Sequence, residues 1–83
     1  MSVTVRYFAS MREAVGCDRE RVETSAKTVR ELRDVLIGRG GAHADSLAWG
    51  KAVRAALNQV LCDESAMLVQ DCEVAFFPPV TGG

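Results

Sequence analysis

The chain has 83 residues, of which 48% are hydrophobic and 25% are charged, and its formal net charge at pH 7 is −1. A chain of this length forms one domain with a thin core, which disfavours an enzyme with its own deep active site. Length and composition together favour a folded binding or carrier module, or one subunit of a larger enzyme.

The charges are unevenly distributed along the chain. Residues 1–40 contain eight basic and six acidic side chains, whereas no basic residue follows Arg54. Four acidic residues lie beyond that point: Asp63, Glu64, Asp71 and Glu73. An acidic C-terminal third argues against nucleic acid as a partner, since phosphate binding needs clustered Lys and Arg. It would suit a basic partner surface, or it is simply a solvated acidic face.

Targeting and metal-binding signals are missing from the sequence. It has no run of about 18 apolar residues for a membrane span, and its N-terminus lacks the features of a signal peptide. Cys17, Cys62 and Cys72 are odd in number and fit no metal-ligand spacing. We therefore expect reduced cysteines in a cytoplasmic protein. His43 lies in a segment rich in Gly and Ala and is interpreted as a surface loop residue.

Two strands are predicted before the main helix. The segment SVTVRYF alternates with a period of two, which places three apolar side chains on one face and Phe8 on the other. The three side chains that share a face are Val3, Val5 and Tyr7. The segment RERVET, centred on Val22, is predicted to return antiparallel to the first strand.

Two capping boxes, in which Ser or Thr is followed three residues later by Glu, predict the starts of helices. Ser10 and Glu13 predict one short helical turn before Gly16. Thr28 and Glu31 predict the start of the main helix, which ends at the glycines of GRGG. The predicted apolar stripe of this helix is Val29, Leu32, Val35 and Leu36.

The second half of the chain is predicted to contain three short strands. Residues 42–53 are expected to form a loop with a short helical turn around Leu47 and Trp49. In this interpretation the indole of Trp49 covers the core. A hairpin follows, with its turn at Asn58 and Gln59, and the segment CEVAFF is the last strand.

The order of elements, β-β-α-β-β-β, predicts an α+β domain with a mixed sheet and one main helix, which is the ubiquitin-like β-grasp arrangement. The helix covers only one face of such a sheet. The predicted core consists of Val3, Val5, Tyr7, Val74 and Phe76. We predict that the open face carries Phe8 and Phe77, joined by Leu61. This patch is expected to bind a partner unless a loop covers it.

Three segments of the chain resemble a known family. VRYFASMREAVG, ALNQ and EVAFFPPVTGG are similar to the MoaD/ThiS family of sulfur carriers, above all to its molybdopterin synthase branch. The resemblance covers essentially the whole chain, and the tail is its most specific part. One difference is the sequence VQDCEV before the last strand, where the family usually has Asp-Gly-Asp-Glu-Val.

We expect a β-grasp domain over residues 1–77 and an extended tail made of Pro78, Pro79, Val80, Thr81, Gly82 and Gly83. The resemblance implies that an E1-like enzyme uses ATP to adenylate the Gly83 carboxylate, and that sulfur then replaces AMP to give a thiocarboxylate. It also implies that the tail inserts into the large subunit of molybdopterin synthase, a heterotetramer of two small and two large subunits. There the tail would donate sulfur to cyclic pyranopterin monophosphate. No bound cofactor is expected.

The residue types of the tail suit this chemistry. The terminal glycines lack a Cβ atom, so the backbone can pass through a narrow channel. Pro78 and Pro79 fix φ and keep the start of the tail extended. The six tail residues span roughly 20 Å when extended. The segment GRGG lacks the Lys-Ser/Thr of a P-loop and is interpreted as a helix C-cap. The sequence offers no activating base, phosphate-binding loop or metal site, so we expect a covalent co-substrate that is inactive alone.

Other functions stay open on the residues alone. They are a related carrier for thiazole synthesis, a ubiquitin-like modifier of lysines, and a β-grasp interaction module with an inert tail. The segment Phe-Pro-Pro-Val-Thr before the terminal Gly-Gly favours the molybdopterin branch. Arg12 is a further candidate for partner contacts beside Phe8, Leu61 and Phe77, although a surface charge without a specific role explains it equally well.

Overall fold

The computed structural model describes residues 1–79. Its strands are β1 (Ser2–Tyr7), β2 (Arg19–Glu23), β3 (Arg54–Leu57), β4 (Val60–Cys62) and β5 (Glu73–Phe77). Its helices are α1 (Ser10–Val15), α2 (Val29–Ile37) and α3 (Gly41–Leu47). The five predicted strands and the main helix α2 are confirmed. Within residues 1–79, no helix has the length and apolar character that crossing a membrane requires.

The five strands form one mixed sheet in the order β2-β1-β5-β3-β4. The central strands β1 and β5 are parallel, and every other neighbouring pair is antiparallel. The last strand therefore lies between the first strand and the β3–β4 hairpin. This mixed sheet with its main helix is the β-grasp arrangement that the order of elements predicts.

One face of the sheet, which we call the helix face, contains the hydrophobic core. The five side chains predicted for the core are at most 1% exposed: Val3, Val5, Tyr7, Val74 and Phe76. Helix α2 adds Val29, Leu32 and Leu36, which are fully buried. Burial of each large apolar side chain stabilises the fold by roughly 1.5–3 kcal/mol. The core therefore determines which face of the sheet the helix covers.

The start of α2 is capped as the sequence predicts. The Thr28 hydroxyl oxygen accepts a hydrogen bond from the Glu31 backbone N–H at 3.2 Å, and the Glu31 carboxylate accepts one from the Lys27 N–H at 3.2 Å. The capping box predicted at Ser10 is wrong, although the predicted helical turn exists as α1. This helix already includes Ser10, and Ala9 is its N-cap residue, so no side chain caps its first turn.

The buried stripe of α2 differs from the prediction at one position. Val35 is 43% exposed, whereas Arg33 is 3% exposed and lies in the stripe. The Arg33 Nε donates to the Leu47 carbonyl oxygen at 2.7 Å, and its Nη2 donates to the Ala48 carbonyl oxygen at 2.9 Å. Burial lowers the pKa of the Arg33 guanidinium, while the Glu64 carboxylate acts in the opposite direction. Arg33 thus connects the main helix to the segment that follows α3.

The prediction that Trp49 covers the core is wrong. Its side chain is 43% exposed, and its indole N–H donates to the Asp34 carboxylate at 2.6 Å. The guanidinium carbon of Arg33 lies 4.1 Å from an indole ring centroid, so the ring packs on a buried cation. The first part of the predicted loop 42–53 is helical, because it belongs to α3, whose Leu47 is fully buried in the core.

His43 is not a surface loop residue as predicted. It lies half-buried on α3, and its Nε2 is 2.9 Å from a carboxylate oxygen of Glu20. The same carboxylate accepts hydrogen bonds from the Tyr7 hydroxyl at 2.8 Å and from Arg39 at 2.6 Å. Burial alone would raise the pKa of Glu20, but the hydrogen bonds from His43, Arg39 and Tyr7 outweigh it and lower the pKa to about 2. Glu20 therefore joins the β1–β2 hairpin to the helices.

Two turns have left-handed backbone conformations at residues other than glycine. Asn58 and Gln59 have φ values of 48° and 69°, which the two-residue hairpin turn of type I′ requires. Asp71, with φ of 65°, replaces the glycine usual in the family that the chain resembles. The Cys72 N–H closes this turn by donating to the Val69 carbonyl oxygen at 3.1 Å. The turn before β5 is therefore formed without glycine.

Arg33→Met is expected to lower the free energy of unfolding by roughly 2–4 kcal/mol, because it leaves buried carbonyl oxygens without donors. Urea unfolding followed by circular dichroism measures the loss. Arg30→Met is the matched control, since Arg30 is an exposed arginine on the same helix. Its effect should stay within about 0.5 kcal/mol. Equal losses in the two variants would contradict the structural role of Arg33.

Glu20→Gln is expected to reduce stability at neutral pH, and its deficit should shrink as the pH falls from 4.5 to about 2. In this range folded Glu20 stays ionised while the unfolded chain takes up a proton, so acid removes the stabilisation. Thermal unfolding midpoints measured across this range test the prediction. Glu13→Gln, on an exposed position of α1, should show no such convergence. A Glu20→Gln deficit that persists unchanged in acid would disprove the assigned role of the carboxylate.

Candidate partner-binding site

The open face of the sheet carries a groove, which we call the docking groove. It has a volume of about 530 Å³ and is formed by residues of β1, β3 and β5 and of the chain segments next to them. Its apolar lining consists of Phe8, Ala9, Ala56, Ala75, Phe77, Pro78 and Pro79. The open-face patch that the sequence predicts is therefore a concave apolar surface, and an exposed apolar surface is typical of a protein-binding site.

Strand alternation and side-chain size produce the docking groove. Arg6, Ala75 and Ala56 lie opposite one another on neighbouring strands and form one row across the open face. Phe77 is two positions further along β5, and Phe8 follows β1 directly. The two alanines leave a low floor, and the aromatic rings stand beside it, so the surface is concave.

The two phenylalanines predicted for this patch are accessible. Phe8 is 38% exposed and Phe77 is half-buried, whereas the neighbouring Phe76 points to the helix face and is 1% exposed. The alternative prediction is that a loop covers both rings, but no loop within residues 1–79 does so. Accessible aromatic rings in an apolar concave surface favour contact with a partner.

The other two residues predicted for the interface lie outside the docking groove. Leu61 pairs with Ala56 in register, so it shares the open face, and it is 64% exposed on β4. Arg12 is exposed on α1 and is not part of the lining. The structure thus brings Phe8 and Phe77 together and places Leu61 on the same face. Contacts of these residues with a partner stay a prediction.

The predicted tail begins at the docking groove. Pro78 and Pro79 follow β5 directly and line one part of the groove. The other predicted tail residues, Val80, Thr81, Gly82 and Gly83, lie outside the described residues. A partner that covers the groove would therefore contact the base of the tail.

A charged pair lies in the docking groove and was missed by the sequence analysis. The Arg6 Nη1 is 3.8 Å from the Glu73 carboxylate, and the two side chains are 26% and 25% exposed. The Arg6 guanidinium carbon lies 4.9 Å from the Phe8 ring centroid. The Arg6 Nε is buried and has no hydrogen-bond acceptor within residues 1–79. The shared phase of Arg6 and Phe8 in the first strand was the signal that could have placed Arg6 here.

Comparison with known proteins identifies the family. The ThiS family model matches residues 5–83, which is nearly the whole chain and includes the tail. The chain belongs to the ThiS family. The family that the three sequence segments indicate is therefore confirmed.

Individual proteins similar to this ThiS-family chain include carriers named for molybdopterin synthase. The chain is 42% identical over 81 residues to the molybdopterin synthase sulfur carrier subunit of Escherichia coli, covering 98% of this chain and 99% of that protein. The crystal structure of SAMP1 from Haloferax volcanii is 26% identical, with a TM-score of 0.77 and full coverage of both chains. A complex of subunits 1 and 2 of the molybdopterin-converting factor from Helicobacter pylori contains a chain 27% identical, with a TM-score of 0.70 and full coverage of both chains.

The acidic C-terminal third of this ThiS-family protein is largely neutralised by folding. Three of its four acidic residues form ion pairs with arginines of the first half of the chain: Glu64 with Arg33, Asp71 with Arg21, and Glu73 with Arg6. These pairs leave little of the acidic charge for a basic partner surface. The expectation of a basic partner, drawn from charge counts alone, therefore has no support in the structure.

The cysteines of the described chain are free thiols. Burial raises the pKa of Cys17, and Glu20 adds to this effect. Burial also raises the pKa of Cys62. The side chain of Cys72 is almost fully buried. A raised pKa keeps a thiol protonated and therefore a weak nucleophile. Among the residues that the structure describes, no three His, Cys, Asp or Glu side chains are grouped to hold a metal ion.

Proposed function

We propose that this protein is the sulfur carrier subunit of molybdopterin synthase and that the C-terminal carboxylate of Gly83 is its working group. The observation that carries the proposal is the similarity to the Escherichia coli sulfur carrier subunit, which extends over 98% of this chain. The ThiS family match also extends to Gly83. The docking groove supports the proposal, because it offers a contact surface at Pro78 and Pro79, where the tail begins.

The proposed cycle starts with activation of the tail. A C-terminal carboxylate has a pKa of roughly 3.5, so at neutral pH it is ionised and can attack the α-phosphate of ATP, releasing pyrophosphate. The resulting acyl adenylate has AMP as its leaving group, and a sulfur nucleophile displaces AMP to form a thiocarboxylate. ATP and the catalytic groups for both steps belong to a separate activating enzyme.

The charged tail then delivers its sulfur in the large subunit. The thiocarboxylate sulfur forms a bond to an oxygen-bearing carbon of cyclic pyranopterin monophosphate while a carbon–oxygen bond at that carbon breaks and its electron pair leaves with the oxygen, and hydrolysis then breaks the bond between this sulfur and the Gly83 carbonyl carbon. Water supplies the oxygen that replaces sulfur, so the Gly83 carboxylate is regenerated. Each carrier brings one sulfur, and the dithiolene that binds molybdenum needs two. Two charged carriers are therefore consumed for each dithiolene.

The tail residues are suited to insertion into a partner. Pro78 and Pro79 fix φ where the chain leaves β5, which limits the directions that the tail can take. The two terminal glycines have no Cβ atom, so the backbone can approach reacting atoms closely. We propose that Val80 and Thr81 line the entry into the large subunit and that Gly82 and Gly83 reach its active site.

The docking groove is the proposed contact surface for the large subunit. The Helicobacter pylori structure is a complex of two subunits of a molybdopterin-converting factor, and the matched chain has the fold described above. In the proposed complex Phe8 and Phe77 pack into the large subunit, and Leu61 extends the contact along β4. Aromatic side chains that become buried in an interface commonly contribute most of its binding energy.

A carrier for thiazole synthesis and a ubiquitin-like modifier would use the same activated tail and would differ in the acceptor. The similarity to the Escherichia coli carrier favours the molybdopterin pathway. Reconstitution with the large subunit and cyclic pyranopterin monophosphate separates these functions, because the other two acceptors do not form a dithiolene. Conjugates with lysine side chains would be the signature of a modifier.

Co-expression with an activating enzyme and a sulfur source is expected to make the wild-type chain heavier by the mass difference between one sulfur and one oxygen atom. Intact-mass spectrometry measures this change. Deletion of Gly83 should abolish it, because the reacting carboxylate is then displaced by one residue. The deletion should leave the thermal unfolding midpoint unchanged, since the buried core lies before Pro78.

A sulfur carrier charged under the same conditions is the positive control for this experiment. An unchanged mass of the wild-type chain beside a charged control would contradict the proposed function. Loss of folding on deletion of Gly83 would instead assign the tail a structural role.

Phe77→Ala is expected to weaken binding to the large subunit by about tenfold or more, while lowering the free energy of unfolding by about 1 kcal/mol or less. Phe76→Ala is the matched control for stability, because it removes the same atoms from the neighbouring, fully buried position. That change should cost about 3–5 kcal/mol. Calorimetric titration and urea unfolding give the two quantities. If Phe77→Ala destabilises the fold as strongly as Phe76→Ala, the groove belongs to the core and the interface assignment is wrong.

A further inference from the structure

Two arginines lie directly opposite each other at one side of the docking groove. Arg6 of β1 and Arg19 of β2 are partners in the antiparallel register. Both are on the open face, since Arg6 lines the docking groove and opposite residues of neighbouring strands share a face. Like charges at opposite positions destabilise a sheet. The row of residues that crosses the groove therefore contains an unfavourable pair at its β1–β2 end.

The described residues compensate for only part of this positive charge. Glu73 lies 3.8 Å from Arg6, but on β5, which is on the far side of β1 from β2. None of the ion pairs within residues 1–79 includes Arg19. The Arg6 Nε also has no acceptor there, although it is buried. One carboxylate thus stands against two guanidinium groups, and it is paired with Arg6 only.

The next row along the same two strands has no such excess. Arg21 lies opposite the uncharged Thr4, and it donates a hydrogen bond to the Asp71 carboxylate. Within the described residues, this arginine has its own carboxylate. The row that is left with unbalanced positive charge is therefore the one beside the docking groove.

A partner that covers the docking groove makes this imbalance more costly. Arg6 is held within the groove by its contact with the Phe8 ring and by its ion pair with Glu73. A surface that packs on Phe8 must therefore also cover the Arg6 guanidinium and remove water from it. Glu73 balances only one of the two positive charges of this row, and burying an uncompensated charge is strongly unfavourable, so the covering surface needs an acceptor at this point.

We propose that the partner surface covering the docking groove carries a carboxylate that binds Arg6 and Arg19 together. The inference rests on the proposed function, because it describes the surface of the large subunit that contacts the carrier. Two carboxylate oxygens can accept hydrogen bonds from two guanidinium groups. The added negative charge also makes the group of Arg6, Arg19 and Glu73 neutral. The two arginines then select an acidic partner surface, while Phe8 and Phe77 supply the contact area.

Binding of the full chain to the large subunit from the same organism tests this proposal. Arg6→Gln and Arg19→Gln should each raise Kd by roughly tenfold, as expected when a charge-assisted hydrogen bond is lost. Arg21→Gln is the matched control, because it removes the same charge from the same face of the same strand as Arg19. It should change Kd by less than about twofold. Added salt should weaken the wild-type complex more steeply than the complexes of Arg6→Gln and Arg19→Gln.

A double variant separates the partner carboxylate from the internal ion pair. Arg6→Gln also leaves Glu73 without its arginine, so the loss of affinity in this variant has two sources. In the double variant Arg6→Gln/Glu73→Gln both charges of the internal ion pair are absent. The only charged interaction still missing is the one between Arg6 and the partner carboxylate. Affinity that stays roughly tenfold below that of the wild type supports the proposal. Affinity that returns to the wild-type value overturns it.

Failure of this proposal differs from failure of the proposed function. A wild-type chain that neither binds the large subunit nor acquires sulfur contradicts the function. If the wild-type chain binds and the Arg6→Gln, Arg19→Gln and Arg21→Gln variants bind equally well, only the proposal of a partner carboxylate is overturned. Arg19 is exposed, so its variant reports on binding with the fold intact even if Arg6→Gln loses stability.

Discussion

The structure depends on a sheet whose core lies on one face only. Helix α2 packs against the side chains of β1 and β5 that are in phase with Val5 and Val74, and both of these are fully buried. The period of two in a strand then places each intervening side chain on the open face. Phe8 and Phe77 are in this second phase, so the alternation that builds the core also exposes the aromatic rings of the docking groove.

The central position of β5 connects the docking groove with the tail. Because β1 and β5 are parallel neighbours, their C-terminal ends lie at the same end of the sheet. Phe8 follows one of these ends, and Phe77 and Pro78 mark the other. The chain therefore leaves the sheet beside the aromatic rings. With β5 at an edge of the sheet instead, the tail would begin far from Phe8, and one partner surface could not contact both.

Local sequence signals made most of the fold predictable, whereas the positions of the buried polar side chains could not be predicted from them. Strand phase, the cap at Thr28 and the hairpin turn depend on residues close together in sequence, so their patterns can be recognised without tertiary information. Burial of Arg33 depends on hydrogen bonds to the carbonyl oxygens of Leu47 and Ala48, which lie 14 and 15 residues further along the chain. The positions of Trp49 and His43 likewise depend on distant partners, Arg33 and Glu20. Tertiary contacts of this kind have no local sequence signature.

Prediction of the candidate site needs both local sequence patterns and tertiary contacts. Strand phase predicts the apolar residues of the docking groove, but the opposition of Arg6 and Arg19 depends on the register between two strands. In the proposed complex this opposition adds selectivity to docking, because a purely apolar groove would accept many apolar surfaces. Two arginines beside one carboxylate penalise every surface that offers no acceptor. In the proposed function the carrier leaves an activating enzyme before it binds a synthase, and it then gains more from such discrimination than from higher affinity, since a tighter complex would also dissociate more slowly.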